Sequence, residues 1–222
     1  MLCGKNPAPS KGEGDHLPPK NIYPNRKNGD FPLHKVPACI ACNNAGSKDD
    51  EEFKIVVGMA TGEFRGDGSD VIESIARTLK VNKKMAKKIF KNSQRVYADR
   101  GRGILEPLIA VTFGEGGYQR VVARIVRGLY WRETGNIYSQ ESYITVVTPE
   151  YLDYKTRAAI KHALSLMRPK YLNGDTVKYT CYIEKDGSGF WAVQFFGKLI
   201  AFAIATADKN IIKSPENSSQ EI

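Results

Sequence analysis

Gly14-Asp15-His16-Leu17-Pro18-Pro19, taken with Val36-Pro37-Ala38-Cys39-Ile40-Ala41-Cys42-Asn43-Asn44, is the pair of stretches whose reading decides the fold. Asp15 offers a hard oxygen ligand, His16 an imidazole able to take a proton near neutral pH, and Asn43 a neutral oxygen just behind a Cys-x-x-Cys pair. Such a set can activate water beside a divalent cation. A carboxylate next to a histidine arises often by chance, so the weight comes from its pairing with Cys39 and Cys42.

Asp-His-x-x-Pro, then a loop, then Cys-x-x-Cys-Asn resembles the HNH endonucleases, the ββα-metal nucleases, locally over residues 3–53. The resemblance implies that the Asp-His step closes a strand, that a loop and second strand follow, and that the last ligand lies on a short helix. It implies further that Asp15 and Asn43 hold a catalytic divalent ion, Mg²⁺ or Mn²⁺, and that His16 is the general base. The position of the family's middle Asn is taken here by His34. That residue could orient His16 through a hydrogen bond, or bind the metal or the scissile phosphate itself. A structural zinc is implied on Cys3, Cys39 and Cys42, with a fourth thiolate falling ahead of Met1, so that either the start lies too late or the site has lost a ligand.

The chain has 222 residues, of which 41% are hydrophobic, enough for a real core in one large domain or two small ones. No uninterrupted apolar run approaches the roughly 18 residues of a membrane span, and Met1-Leu2-Cys3-Gly4-Lys5 lacks the apolar centre of a secretory signal. A cytoplasmic protein with no membrane partner is the expectation. Four cysteines, two of them three apart, suit metal ligation under reducing conditions better than a disulfide framework, and Cys181 reads as a core thiol. A formal charge of +9, from 33 basic and 24 acidic residues, favours polyanionic partners.

From Met1 to Asp30, Pro, Gly and Asn suit loops, with an exposed turn at Asn25–Asp30, and Phe31 to Val36 reads as a strand. Ser47 caps a helix whose apolar side is Phe53, Val56, Val57 and Met59, and Asp49 to Glu52 read as acids favouring the helix dipole. Glycines between Gly62 and Ser69 mark a soft boundary. Asp70 to Lys80 is a helix, and Val81 to Arg95 reads as another, with Lys84, Lys88, Lys91 and Arg95 on one basic face that could lie along a phosphate backbone. Arg100 and Arg102 extend the basic region in a glycine-containing loop. Neither this loop nor Phe113–Gly117 has a phosphate-loop or dinucleotide signature, which excludes nucleotide hydrolysis as a reading.

Gly117 to Thr134 has Val121, Val122, Ile125, Val126, Leu129 and Tyr130 at helical period, with Arg120, Arg124 and Arg127 opposite. Arg124–Trp131 is similar to a segment that follows the nuclease motif in some bacterial HNH-like proteins, and Tyr130 and Trp131 read as core aromatics. Tyr143 to Val147 is a strand, Thr148-Pro149-Glu150 opens a helix ending near Arg168-Pro169, and His162 is a plain helix histidine. Val177–Ile183, Phe190–Phe196 and Lys198–Thr206 form an antiparallel meander.

The expected class is α+β: an HNH-like ββα-metal module over 1–60, an α+β domain over 70–208 and a flexible tail over 209–222. The expected activity is metal-dependent hydrolysis of nucleic-acid phosphodiesters, with DNA as substrate and His16 as base. The alternative is a catalytically degenerate, zinc-bearing nucleic-acid-binding module, and a protein-interaction domain built on the C-terminal part is a third class.

Overall fold

Burial follows the 3.6-residue period along Gly117–Thr134, where Val121, Val122, Ile125, Val126 and Leu129 are all at most 1% exposed. A computed structural model describes residues 14–23, 32–61, 69–91, 93–99, 103–111, 116–138, 142–147, 153–174 and 176–206. The N-terminal elements are strand β1 (Asp15–His16), a 3-10 turn (Lys20–Ile22), strand β2 (Lys35–Val36), and helices α1 (Ile40–Ala45) and α2 (Ser47–Thr61). Helices α3 (Ser69–Val81) and α4 (Lys83–Lys91) lead to strands β3 (Ser93–Asp99) and β4 (Leu105–Val111). Helix α5 is Gly117–Thr134, followed by β5 (Tyr143–Val147), α6 (Tyr154–Leu166), β6 (Lys170–Leu172), β7 (Val177–Ile183), β8 (Gly189–Phe195) and β9 (Leu199–Thr206).

The fold is α+β, with an antiparallel five-stranded sheet of order β5-β9-β8-β7-β6. The meander forms as its alternating patterns predict, extended at its edge by β6, which is too short to read from sequence. One face of the sheet is large on β8, where Trp191, Val193 and Phe195 are buried, and small on β9, where Ala201, Ala203 and Ala205 leave room for α5. Leu17, Ile22, Val36, Phe53 and Val57 join these residues in one cluster, so side chains from both sides of the Gly62–Ser69 segment share a core. Tyr130 stacks on Tyr138 with ring centroids 3.8 Å apart, in keeping with the core reading of that aromatic.

Helix α2 packs two faces at once. Phe53 and Val57 enter the main core, while Ile55 meets Val71, Ile75 and Ile89 in a second cluster. Gly58 permits this second contact, since a Cβ there would collide with Ile75 Cδ1. Met59, expected on the apolar side, is instead 37% exposed.

Several expectations are corrected. The helix expected over Val81–Arg95 spans only Lys83–Lys91: Asn82 accepts from the Met85 N–H at 3.0 Å as its cap, and Arg95 lies on β3. The run Arg95-Val96-Tyr97 favours a strand, and a full register from Ser93↔Val111 to Asp99↔Leu105 forms the hairpin. Helix α6 is capped by Asp153, whose side chain accepts from the Thr156 N–H at 2.9 Å; Thr148-Pro149-Glu150 lies outside the described residues. Beyond them too are Asn25–Asp30, the tail from 209 and most of the Phe113–Gly117 cluster.

Two strands of two residues have little stability of their own. β1 and β2 are antiparallel, with Asp15 opposite Val36, and the Leu17 N–H donates to His34 O at 2.9 Å. The hairpin is then clamped from the far end of the chain. The Asn173 amide accepts from the His34 N–H and donates to Leu17 O, both at 2.9 Å, standing in for a peptide group between the strands. Asn173 is 6% exposed with a φ of 53°, a left-handed conformation that Asn tolerates better than most residues. Replacing Asn173 with Gly keeps that conformation but removes both bonds, so equilibrium denaturation should show a loss of about 2–3 kcal/mol. A loss below roughly 0.5 kcal/mol would show that water replaces the clamp without cost.

Candidate active site

A cleft of about 570 Å³ opens where the β1–β2 hairpin meets α1, α2 and α3. Its walls include Asp15 and His16 from β1, Asn43 from α1, Ser47, Asp50 and Lys54 from α2, and Ser74 from α3. Three residues singled out in sequence, Asp15, His16 and Asn43, therefore meet. Leu17 and Val36 anchor the hairpin in the core, each 2% exposed. Gly128 on α5 provides the seat, because a Cβ there would stand 2.9 Å from Leu17 Cδ1.

Asp15 is 8% exposed, and its Oδ1 accepts from the His16 N–H at 2.8 Å. Arg124, reaching in from α5, places Nε 3.6 Å from Asp15 Oδ2 and hydrogen-bonds Asp50 Oδ1 through Nη2. Gly46 leaves the passage open, for a Cβ there would collide with the Arg124 guanidinium. Burial raises Asp15 above the ordinary carboxylate value of 3.8, against the pull of Arg124 and His16. Burial likewise raises Asp50, opposed by Arg124 and reinforced by the neighbouring charges of Asp15 and Asp49. Two desolvated carboxylates thus share one guanidinium.

The acids at the start of α2 do more than complement its dipole. Asp49 accepts two bonds from Arg120, at 2.7 and 2.8 Å, which holds its carboxyl below the ordinary value. Arg124 and Arg127, expected on a polar face, are turned inward, Arg127 donating to the carbonyls of Tyr138 at 3.4 Å and Ser142 at 3.1 Å.

His34 is absent from the cleft walls. Its backbone N–H is taken by Asn173, and burial together with the Arg132 charge lowers the pKa of its imidazole. Arg132 donates to Tyr179 Oη at 3.2 Å, which donates in turn to Glu133 at 2.6 Å. Cys39 is half-buried ahead of α1, whereas Cys3 and the side chain of Cys42 lie outside the described residues, as do Arg100 and Arg102. Among the described residues no three His, Cys, Asp or Glu side chains form a ready ligand set. Lys84, Lys88 and Lys91 are exposed on α4, with Lys88 3.5 Å from Glu52, and Arg95 is exposed on β3; Ile89, 4% exposed, pins that helix. His162 is exposed, and Cys181, expected in the core, is half-buried against its edge.

Comparison with family models, with curated proteins and with solved structures finds no match to this chain.

Lys54 lines the cleft without a sequence signal, Asp50 reads in sequence as a helix-start acid, and Arg124 reaches the two carboxylates from α5. Removing Arg124 would leave two buried carboxylates facing each other. Because their folded-state pKa values lie above the unfolded value, the stability they contribute is complete below 3.8 and lost as pH rises through the folded values. Arg124→Gln raises those values further, so it should destabilise by about 3 kcal/mol near pH 7. The gap from wild type should narrow as pH falls toward 3.8. A gap independent of pH in denaturant titrations would mean that the ion pairs are not its source.

Proposed function

We propose that the protein is a metal-dependent endonuclease of HNH type, hydrolysing nucleic-acid phosphodiesters with DNA as the expected substrate. What carries the reading is that Asn43 lines the same cleft as the adjacent pair Asp15 and His16, on a β-hairpin followed by a helix. Oxygens of Asp15, Asn43 and Asp50 suit a hard cation such as Mg²⁺ or Mn²⁺, and the charge of two desolvated acids sharing one Arg favours one. A bound divalent ion would supply Lewis acidity at the phosphoryl oxygens.

The chain's own part is proton transfer and positioning. His16 takes a proton from water, the water oxygen attacks phosphorus, and the P–O bond to the leaving oxygen breaks; solvent water protonates that oxygen, giving a phosphomonoester and a hydroxyl, and His16 returns its proton to solvent. Asp15 orients the backbone of His16 through the bond to its N–H. The exposed lysines of α4 and the +9 charge of the chain supply attraction to a phosphate backbone.

The alternative, a nucleic-acid-binding module without catalysis, is favoured by two observations: Arg124 already engages Asp15 and Asp50, and His34 does not line the cleft. Plasmid nicking decides between them. Wild type should nick with Mg²⁺ or Mn²⁺ and stop with EDTA, while His16→Ala should lose on the order of 100-fold in rate with DNA affinity nearly unchanged. Asp15→Ala should shift the metal titration to higher concentration. Equal nicking by His16→Ala would overturn the mechanism, and DNA binding without nicking at any metal concentration would establish the alternative.

A further inference from the structure

Lys54 is the cleft residue with the least explained environment. It is 8% exposed, an unusual burial for a lysine, and it lines the cleft on the face of α2 that also carries Ser47 and Asp50. Its Nζ donates to Thr78 Oγ1 at 2.7 Å, and the hydroxyl proton of Thr78 is committed to Ser74 O at 2.9 Å. Thr78 is therefore fixed as an uncharged acceptor that aims the ammonium. Among the described residues no carboxylate forms an ion pair with Lys54; burial lowers its pKa, Glu51 opposes that shift and Arg77 adds to it. Asp50, one helical turn away, is taken by Arg124. An ammonium on a largely buried lysine, held by one neutral oxygen and facing the cleft, is incompletely compensated, and a bound anion would complete it.

We infer that Lys54 is the phosphate-contact residue of the cleft, its ammonium hydrogen-bonding a non-bridging oxygen of the substrate phosphodiester while Thr78 and Ser74 hold it in place. The inference rests on the nuclease reading for the identity of the substrate. The ammonium of Lys54 remains charged throughout and neither gains nor loses a proton. It would stabilise the charge that builds on the phosphoryl oxygens during attack.

The test has one arm that needs no catalysis. Protein labelled at the lysine ε-carbons is titrated with inorganic phosphate in EDTA, with sodium chloride at matched ionic strength as control and Lys54→Arg to assign the resonance. Phosphate should move the Lys54 signal saturably and raise its titration midpoint, because an adjacent anion favours the ammonium. No shift, or an equal shift with chloride, overturns the inference. In the second arm, Lys54→Met should lower kcat/KM for plasmid nicking by about 100-fold, as loss of one preorganised charge contact does. Its affinity for uncleaved DNA in EDTA should change less than about threefold, because backbone charge elsewhere dominates binding. Nicking by a folded Lys54→Met within about twofold of wild type also overturns it. If wild type cuts nothing but phosphate still moves Lys54, the anion site stands and the nuclease reading falls. If Lys54→Met does not fold, the phosphate titration of wild type alone decides.

Discussion

The Arg124 guanidinium joins the parts of the molecule that carry the cleft. Asp15 belongs to a two-residue strand, Asp50 to the first turn of α2, and Arg124 to α5, the helix buried against the sheet. Without its charge, two desolvated carboxylates would face each other in a medium where their repulsion is stronger than in water. The passage left by Gly46 and the seat left by Gly128 both serve this approach, so one helix carries the cation that neutralises the cleft and the gap that docks the hairpin beside it. A stable α5 is thus a condition of the cleft's geometry.

The regular framework was legible because its residues repeat. The helical period of Val121 to Tyr130 and the alternation in β5, β7, β8 and β9 each arise from one-sided burial, which writes a periodic pattern into the chain. Where burial is two-sided the pattern fails. Helix α2 sends Phe53 and Val57 one way and Ile55 the other, and its polar residues then cannot be sorted by period into those facing solvent and those facing a cleft. Asp50 consequently reads as helix-start electrostatics, a role it also fills, and Lys54 carries no periodic signal of its own. Arg124 was grouped with Arg120 on a polar face, although Arg120 is 61% exposed in its side chain and Arg124 only 14%.

Asp15, His16 and Asn43 were legible by a different route, as unusual residue types in a recurring order. That route carries chemistry but not orientation. His34 occupies the place where the family pattern has an Asn, and its position in the chain gave no sign that Asn173 would take its N–H or that Arg132 would lie beside its ring. Both partners come from over a hundred residues or nearly a hundred residues downstream, and only the packed fold brings them near. The misplaced end of α4 has a local cause instead: Lys91 and Arg95 keep helical spacing, but the strand preference of Arg95-Val96-Tyr97 and a partner in Leu105–Val111 outweigh it.

One wall of the cleft is the least regular part of the described chain, and that arrangement has an energetic logic. Ordering a two-residue strand, a 3-10 turn and a six-residue helix costs backbone entropy that their few internal hydrogen bonds cannot offset. The compensation is external: Leu17, Ile22 and Val36 are buried in the main core, and the Asn173 amide closes the hairpin from the sheet side. Tyr23 extends this link, its hydroxyl accepting from Asn173 and from Thr176, each at 3.1 Å. Chemistry-bearing side chains can then be held on short segments whose own conformational preferences are weak, because α5 and the sheet determine where those segments lie. Substitutions at Asn173, Gly128 or Gly46 should therefore act on the cleft through position alone, leaving its functional groups intact but displaced.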